Sequence, residues 1–161
     1  MDSQKNIYER ASSLLDLNHI GIPVFQEAKC VIVNGHIIYS RMCEKMKKHC
    51  GCAVLIEHNG ENFMAVVQYF LYESNSRSVF AVIKRILLDF GNPFLVSEKP
   101  RHLLRIAGEE DQHKVVPVDC VLEKNSISFW KSKPHLCITS SKFLWPLSLI
   151  YCYTANFVYI Y

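Results

Sequence analysis

Cys43, His49, Cys50 and Cys52 form the densest group of metal-ligating side chains in the chain. A zinc site prefers cysteine pairs spaced C-x₂₋₄-C with a second pair further on. Here Cys50 and Cys52 are one residue apart on an expected strand, where side chains at i and i+2 share a face. No second well-spaced pair follows, although Cys120 and Cys137 could approach in space. Unligated cysteines behave as small buried hydrophobes, and that is the expectation adopted, with no metal and no cofactor.

Nucleophilic catalysis needs a Cys or Ser beside a His, with a third group to orient it. The seven histidines, at 19, 36, 49, 58, 102, 113 and 135, scatter over expected turns and strand ends, and no G-x-S-x-G elbow is present. Glu109, Glu110 and Asp111 fall together in what reads as an exposed turn, where carboxylates remain ionised and solvated. The six glycines occur singly, so no glycine-rich phosphate loop exists. The expectation is a protein that is not an enzyme.

Two features suit binding. Arg41, Lys45, Lys47, Lys48 and His49 form a basic connection between expected strands. Such a loop can contact phosphates, and that contact weakens steeply with salt. Equally, it can be a solvated link that keeps an edge strand from pairing. The second feature is aromatic: Tyr39, Phe63, Tyr69, Phe70, Tyr72, Phe80 and Trp130. Strict alternation with Val67, Tyr69 and Leu71 inward puts Gln68, Phe70 and Tyr72 outward. An outward set of Phe70, Tyr72 and Trp130 could stack bases, surround an alkylated ammonium group or hold a peptide. Core packing, or cover by the N-terminal helix, is the competing account.

The elements that position these residues read as β structure. From Cys50 to Leu88 three apolar-rich runs, CAVLIEH, FMAVVQYFLYE and VFAVIKRILL, are separated by NGEN and SNSRS. Asn59-Gly60 is a strong hairpin signal because both positions accept positive φ. Val, Ile, Phe and Tyr pack well on a pleated surface. Asn34-Gly35 predicts a second hairpin between residues 29–33 and 36–41. Gly91-Asn92-Pro93 ends the central region, and further short strands are expected at 94–96, 102–106, 114–118, 126–130 and 136–139. Turns at 108–111 and at Glu123-Lys124-Asn125 separate them. Ile7, Tyr8, Ala11, Leu14 and Leu15 recur at helical spacing, predicting one helix over 3–17 with Ser3 as its N-cap. The fold class is mainly β: a small bent-sheet or barrel domain with one short N-terminal helix.

With 161 residues, half of them hydrophobic and 20% charged, the chain can bury a core and is not disordered. Its net charge of +3 permits contact with DNA or acidic chromatin without the dense basic stripe of a dedicated binder. The charged N-terminus lacks the apolar core of a secretory leader. Seven cysteines without secretion imply reduced thiols in the nucleus or cytoplasm.

After Lys142 no charged residue remains, and the chain ends FLWPLSLIYCYTANFVYIY. Its length approaches the roughly 20 residues that span a bilayer, but Pro146, Asn156 and several Tyr, Ser and Thr dilute it. It reads as a membrane anchor, as a tail packed on the sheet, or, the reading preferred, as a non-native ending. The resulting organisation is a helix and connection at 1–28, a β-rich domain at 29–139 and a hydrophobic tail at 140–161.

VNGHIIYSRMCEKMKKHCGCAVLIEHNGENFMAVVQYFLY, then SVFAVIKRILL, RHLLRI and KVVPVDCVLEKNSISF, together span about residues 30–130. This succession resembles a small β domain of transposon-derived metazoan proteins, where it typically follows a transposase-like region. VVPVDCVLEK is also similar to the strand-and-turn signature of bromo-adjacent-homology modules, which are β-rich chromatin readers. The resemblance implies an accessory module of a mobile-element protein. No transposase body precedes the domain here, so no catalytic Asp or Glu set for two-metal strand transfer carries over. The leading expectation is contact with DNA or chromatin through residues 41–49. The alternatives are a protein-interaction domain using the aromatic face and a small protein anchored by its tail.

Overall fold

The computed structural model of the chain describes residues 4–15, 21–43, 49–89, 103–130 and 133–137. For His49, Cys50, Leu103, Ser126, Ser128, Phe129, Trp130, Lys133, His135 and Cys137 it describes the backbone alone. The elements are a helix α1 (Gln4–Ser13) and strands β1 (Phe25–Ala28), β2 (Cys30–Val33), β3 (His36–Tyr39), β4 (His49–His58), β5 (Glu61–Glu73), β6 (Val79–Asp89), β7 (Leu103–Glu109), β8 (Lys114–Pro117), β9 (Val121–Trp130) and β10 (Lys133–Cys137), with a 3-10 turn at Val118–Cys120 before β9. The protein is mostly β with one short N-terminal helix, as its strand grammar predicts.

Both Asn-Gly pairs make two-residue hairpins. Asn34 and Gly35 have φ of 51° and 77°, and Asn59 and Gly60 have 53° and 77°. Two successive positive φ values match the twist of the flanking strands, so β2 pairs β3 and β4 pairs β5 in the registers Val33↔His36 and His58↔Glu61. Asn tolerates the left-handed region and Gly enters it at no cost.

Eight strands form one antiparallel sheet in the order β1-β5-β4-β9-β10-β7-β6-β8, and β5 also pairs with β6. The sheet therefore bends back on itself, the bent form expected. β7 and β8 lie in line along one edge of β6: Ile86 faces Glu109 and Ile83 faces Lys114. Residues 110–113 interrupt what is otherwise one long strand, and the Glu110 N–H donates to the Arg85 carbonyl at 2.9 Å.

Apolar side chains occupy both faces. One cluster, built on Leu55, Met64, Val66, Ile86, Ile127 and Leu136 with Leu104 packed against it, draws on six strands of the bent sheet. Further along that face Leu71, Phe80, Val82 and Val115 receive Ile7 and Ala11 of α1. Tyr8 stacks on Phe25 with ring centroids 5.6 Å apart, so the helix ties β1 to β8 across the sheet. The opposite face holds Val54, Ile56, Val67, Phe70, Ala81 and Ile83, covered by Ile38, Val31 and Val33 of the β2–β3 hairpin.

Several sequence expectations give way here. The helix ends at Ser13 rather than 17, and Ser3 lies outside the described residues. Residues 123–125 are not a turn: Ala53 faces Asn125 and Leu55 faces Glu123, within β9. Three consecutive polar residues resemble a turn in isolation, but ladder bonds from β4 hold them extended. The strand expected at 94–96 and the tail after residue 137 lie outside the described residues. No helix among the described residues is long and apolar enough to cross a membrane.

Candidate functional site

The aromatic face does not form as alternation predicts. β5 carries a bulge between Val67 and Tyr69, and an extra residue in one strand exchanges the faces beyond it. Val67 and Phe70 consequently share one cluster, while Tyr69 and Leu71 share the other. Phe70 is fully buried and offers no surface to a partner, which corrects the expectation that it points outward. Tyr72 is half-buried. The side chain of Trp130 lies outside the described residues, although its backbone ends β9.

The bulge is built in rather than loose. Arg41 N–H donates to the Val67 carbonyl at 2.8 Å and Met42 N–H to the Gln68 carbonyl at 3.3 Å. The chain leaving β3 thus satisfies backbone groups that an inserted residue would otherwise leave without ladder partners.

Of the basic residues, Arg41 is described. Its guanidinium meets the Glu109 carboxylate in a fork, Nη1 to Oε2 at 2.9 Å and Nη2 to Oε1 at 2.5 Å. A bidentate pair of this kind fixes the guanidinium plane and neutralises its charge. Lys45, Lys47, Lys48 and the side chain of His49 lie outside the described residues. Glu110 is likewise engaged, 3.1 Å from Lys114 and 4.0 Å from Arg85. The acidic run is therefore half-buried and paired at two of its three members, where the sequence suggested only solvated charge.

Of the cysteines in the densest metal-ligating group, Cys52 is buried and Cys43 half-buried; the side chain of Cys50 lies outside the described residues. No group of three His, Cys, Asp or Glu side chains suited to a metal occurs among the described residues. Cys120 Sγ lies 3.6 Å from His58 Nδ1. Burial, then the charges of Asp119 and Glu57, push that thiol above its ordinary value. A thiol held protonated is a poor nucleophile, so the pair does not amount to an activated cysteine.

Sequence reasoning missed a different surface. The register Cys30↔Tyr39 and Ile32↔Ile37 places these four side chains on the side of the β2–β3 hairpin away from the core. Ile32 is 73% exposed, Ile37 44% and Tyr39 40%, with Met42 at 41% just beyond the strand. A two-stranded ribbon that is apolar on both faces has one face too many for its own core. The signal was present in CVIV and HIIY, which are continuous apolar runs rather than the alternation of a half-buried strand.

No family model, curated protein or solved structure matches this chain.

Proposed function

We propose that the chain is a non-enzymatic accessory binding module, of the mobile-element-derived kind its sequence resembles, that engages a partner protein through the outward face of the β2–β3 hairpin. The observation that carries this reading is the solvent-facing set Ile32, Ile37 and Tyr39 beside exposed Cys30. Single exposed apolar residues are ordinary; a contiguous set on a rigid ribbon is the form taken by interaction patches. Contact with DNA or chromatin through residues 41–49 is less well supported, because Arg41, the described member of that stretch, is matched by Glu109. The site of action in this reading is the nucleus or cytoplasm.

Selection of a displayed peptide library on the full chain tests the proposal. Selected peptides should bind the native protein and lose binding to an Ile32→Asp, Ile37→Asp variant whose thermal melt is unchanged. Enrichment indifferent to those substitutions, or none, removes the hairpin face as the site. Duplex binding that falls steeply between 50 and 200 mM salt would return the function to the basic segment.

A further inference from the structure

We propose that the outer edge of β2 pairs antiparallel with the same strand of a second copy of the chain, making a two-fold dimer. The register of the β2–β3 ribbon decides which backbone groups that edge presents. Ser40 N–H donates to the Lys29 carbonyl at 2.8 Å, and Val33 and His36 flank the two-residue turn. Hydrogen-bonded pairs alternate along an antiparallel ladder. Lys29–Ser40, Val31–Ile38 and Val33–His36 therefore take the ribbon's own bonds, and the N–H and C=O of Cys30 and Ile32 point away from β3. Among the described residues β3 is the only strand paired with β2. The side chains of Cys30 and Ile32 beside that edge are exposed.

Edge strands are ordinarily guarded by a charge, a proline, a bulge or a covering element. The strand CVIV carries neither charge nor proline, and its register with β3 is unbroken. The far edge of the ribbon, on β3, is turned toward the main sheet. There Lys124 of β9 reaches over Tyr39, with Nζ 5.4 Å from the ring centroid, and Gly51 of β4 lies close by. The open edge is the one on β2.

An edge of this kind accepts an extended strand, held by main-chain bonds. The chain's own β2 is such a strand, and a two-fold axis through Val31 fits it to itself. Cys30 then faces Ile32 of the second copy, and Ile32 faces its Cys30. Each of these pairs exchanges N–H···O=C bonds in both directions, so every outward group of Cys30 and Ile32 is used. An axis through Ile32 would instead set Cys30 against the turn residue Asn34. With the axis at Val31, Lys29 lies opposite Val33, so no like charges meet, and apolar side chains face each other from Cys30 to Ile32. The contact is isologous and closes on itself. It is small, so the association is weak and concentration-dependent. It rests on the hairpin being the binding element of the proposed function, but it uses the ribbon's edge and leaves its outward face open.

Sedimentation equilibrium of the full chain under reducing conditions tests it, and a reversible monomer–dimer equilibrium is expected. Ile32→Pro removes an N–H that the ribbon's own ladder does not use, and should weaken dimerisation at least about tenfold through the bonds lost on both copies. Ile32→Thr keeps that N–H and should keep the dimer. Ile37→Asp spoils the outward face but not the edge, and should keep it too, so this inference and the proposed function fail separately. Mild oxidation of Ile32→Cys gives a readout that does not need the proline variant to fold. It should link position 32 of one copy to Cys30 of the other, because hydrogen-bonded pairs hold their Cα atoms about 5.5 Å apart, and Cys30→Ser should abolish the link. The proposal is overturned by a monomer at every concentration, by equal losses from Ile32→Pro and Ile32→Thr, or by a dimer in which the 30–32 link does not form. A monomer whose selected peptides are sensitive to Ile32→Pro and not to Ile37→Asp would give the edge to a foreign strand and overturn the second copy.

Discussion

The carboxylate of Glu73 accepts both the backbone N–H and the hydroxyl of Ser76, at 2.6 and 2.7 Å. Its second oxygen accepts the Val24 N–H at 3.0 Å, so one side chain closes the β5–β6 turn and pins the segment entering β1. The residue is solvent-inaccessible, covered by its own turn at the end of the sheet. Burial alone would raise its pKa, but the N–H donors of Ser76 and Val24 outweigh that and hold the carboxyl at about 2.

The sign of the pH effect follows. With the folded value depressed below the ordinary 4.5, the stabilisation is complete above about pH 4.5 and is lost as pH falls toward 2. Melting temperatures of the native protein and Glu73→Gln should therefore converge across that window while remaining apart at pH 7. Parallel curves would mean that Glu73 does not govern the acid limb.

Phe70→Ala should destabilise the fold by about 3–5 kcal/mol, the usual cost of emptying a filled aromatic site. Ile32→Asp, on the exposed hairpin face, should stay within about 0.5 kcal/mol. Urea titrations of the two variants make the comparison directly. A small effect at Phe70 would restore it to the surface and discredit the bulge between Val67 and Tyr69.

Tyr69 should titrate late. Burial first, then the charges of Glu27 and Tyr8, push its phenol up to about 12 from 10.0. The raised value means that its contribution to stability is intact below pH 10 and declines as pH climbs through 12. In an ultraviolet titration one late phase should be present in the native protein and missing from Tyr69→Phe. If the two profiles superimpose, Tyr69 is not the shifted group.

The Arg41–Glu109 fork is part-exposed on both sides, at 39% and 22% of side-chain area, so screening limits its value. A double-mutant cycle through Arg41→Ala and Glu109→Ala should give a coupling of about 0.2–1 kcal/mol that shrinks in molar salt. Arg41→Ala should leave any affinity for duplex DNA unaltered, since its charge is already met. A marked loss of that affinity would revive the phosphate-contact reading.

The sequence by itself determined the pieces that depend on neighbouring residues. Asn34-Gly35 and Asn59-Gly60 turn where they stand because positive φ is a local steric matter, settled within two residues. Ile7 and Ala11 mark the buried stripe of α1 because helical period is local too. The tertiary structure decided which way the side chains face. One inserted residue near Gln68 decides which of the two apolar faces Phe70 and Tyr69 each join, and nothing in VVQYF announces it. The bulge holds because Arg41 and Met42, far away in sequence, supply its hydrogen bonds. The same holds at 123–125, extended only because β4 is there to pair with it, and for Arg41, whose partner Glu109 is 68 residues away. Strand register and charge pairing are non-local: they are fixed by what lies across the gap, and composition along the chain does not record it.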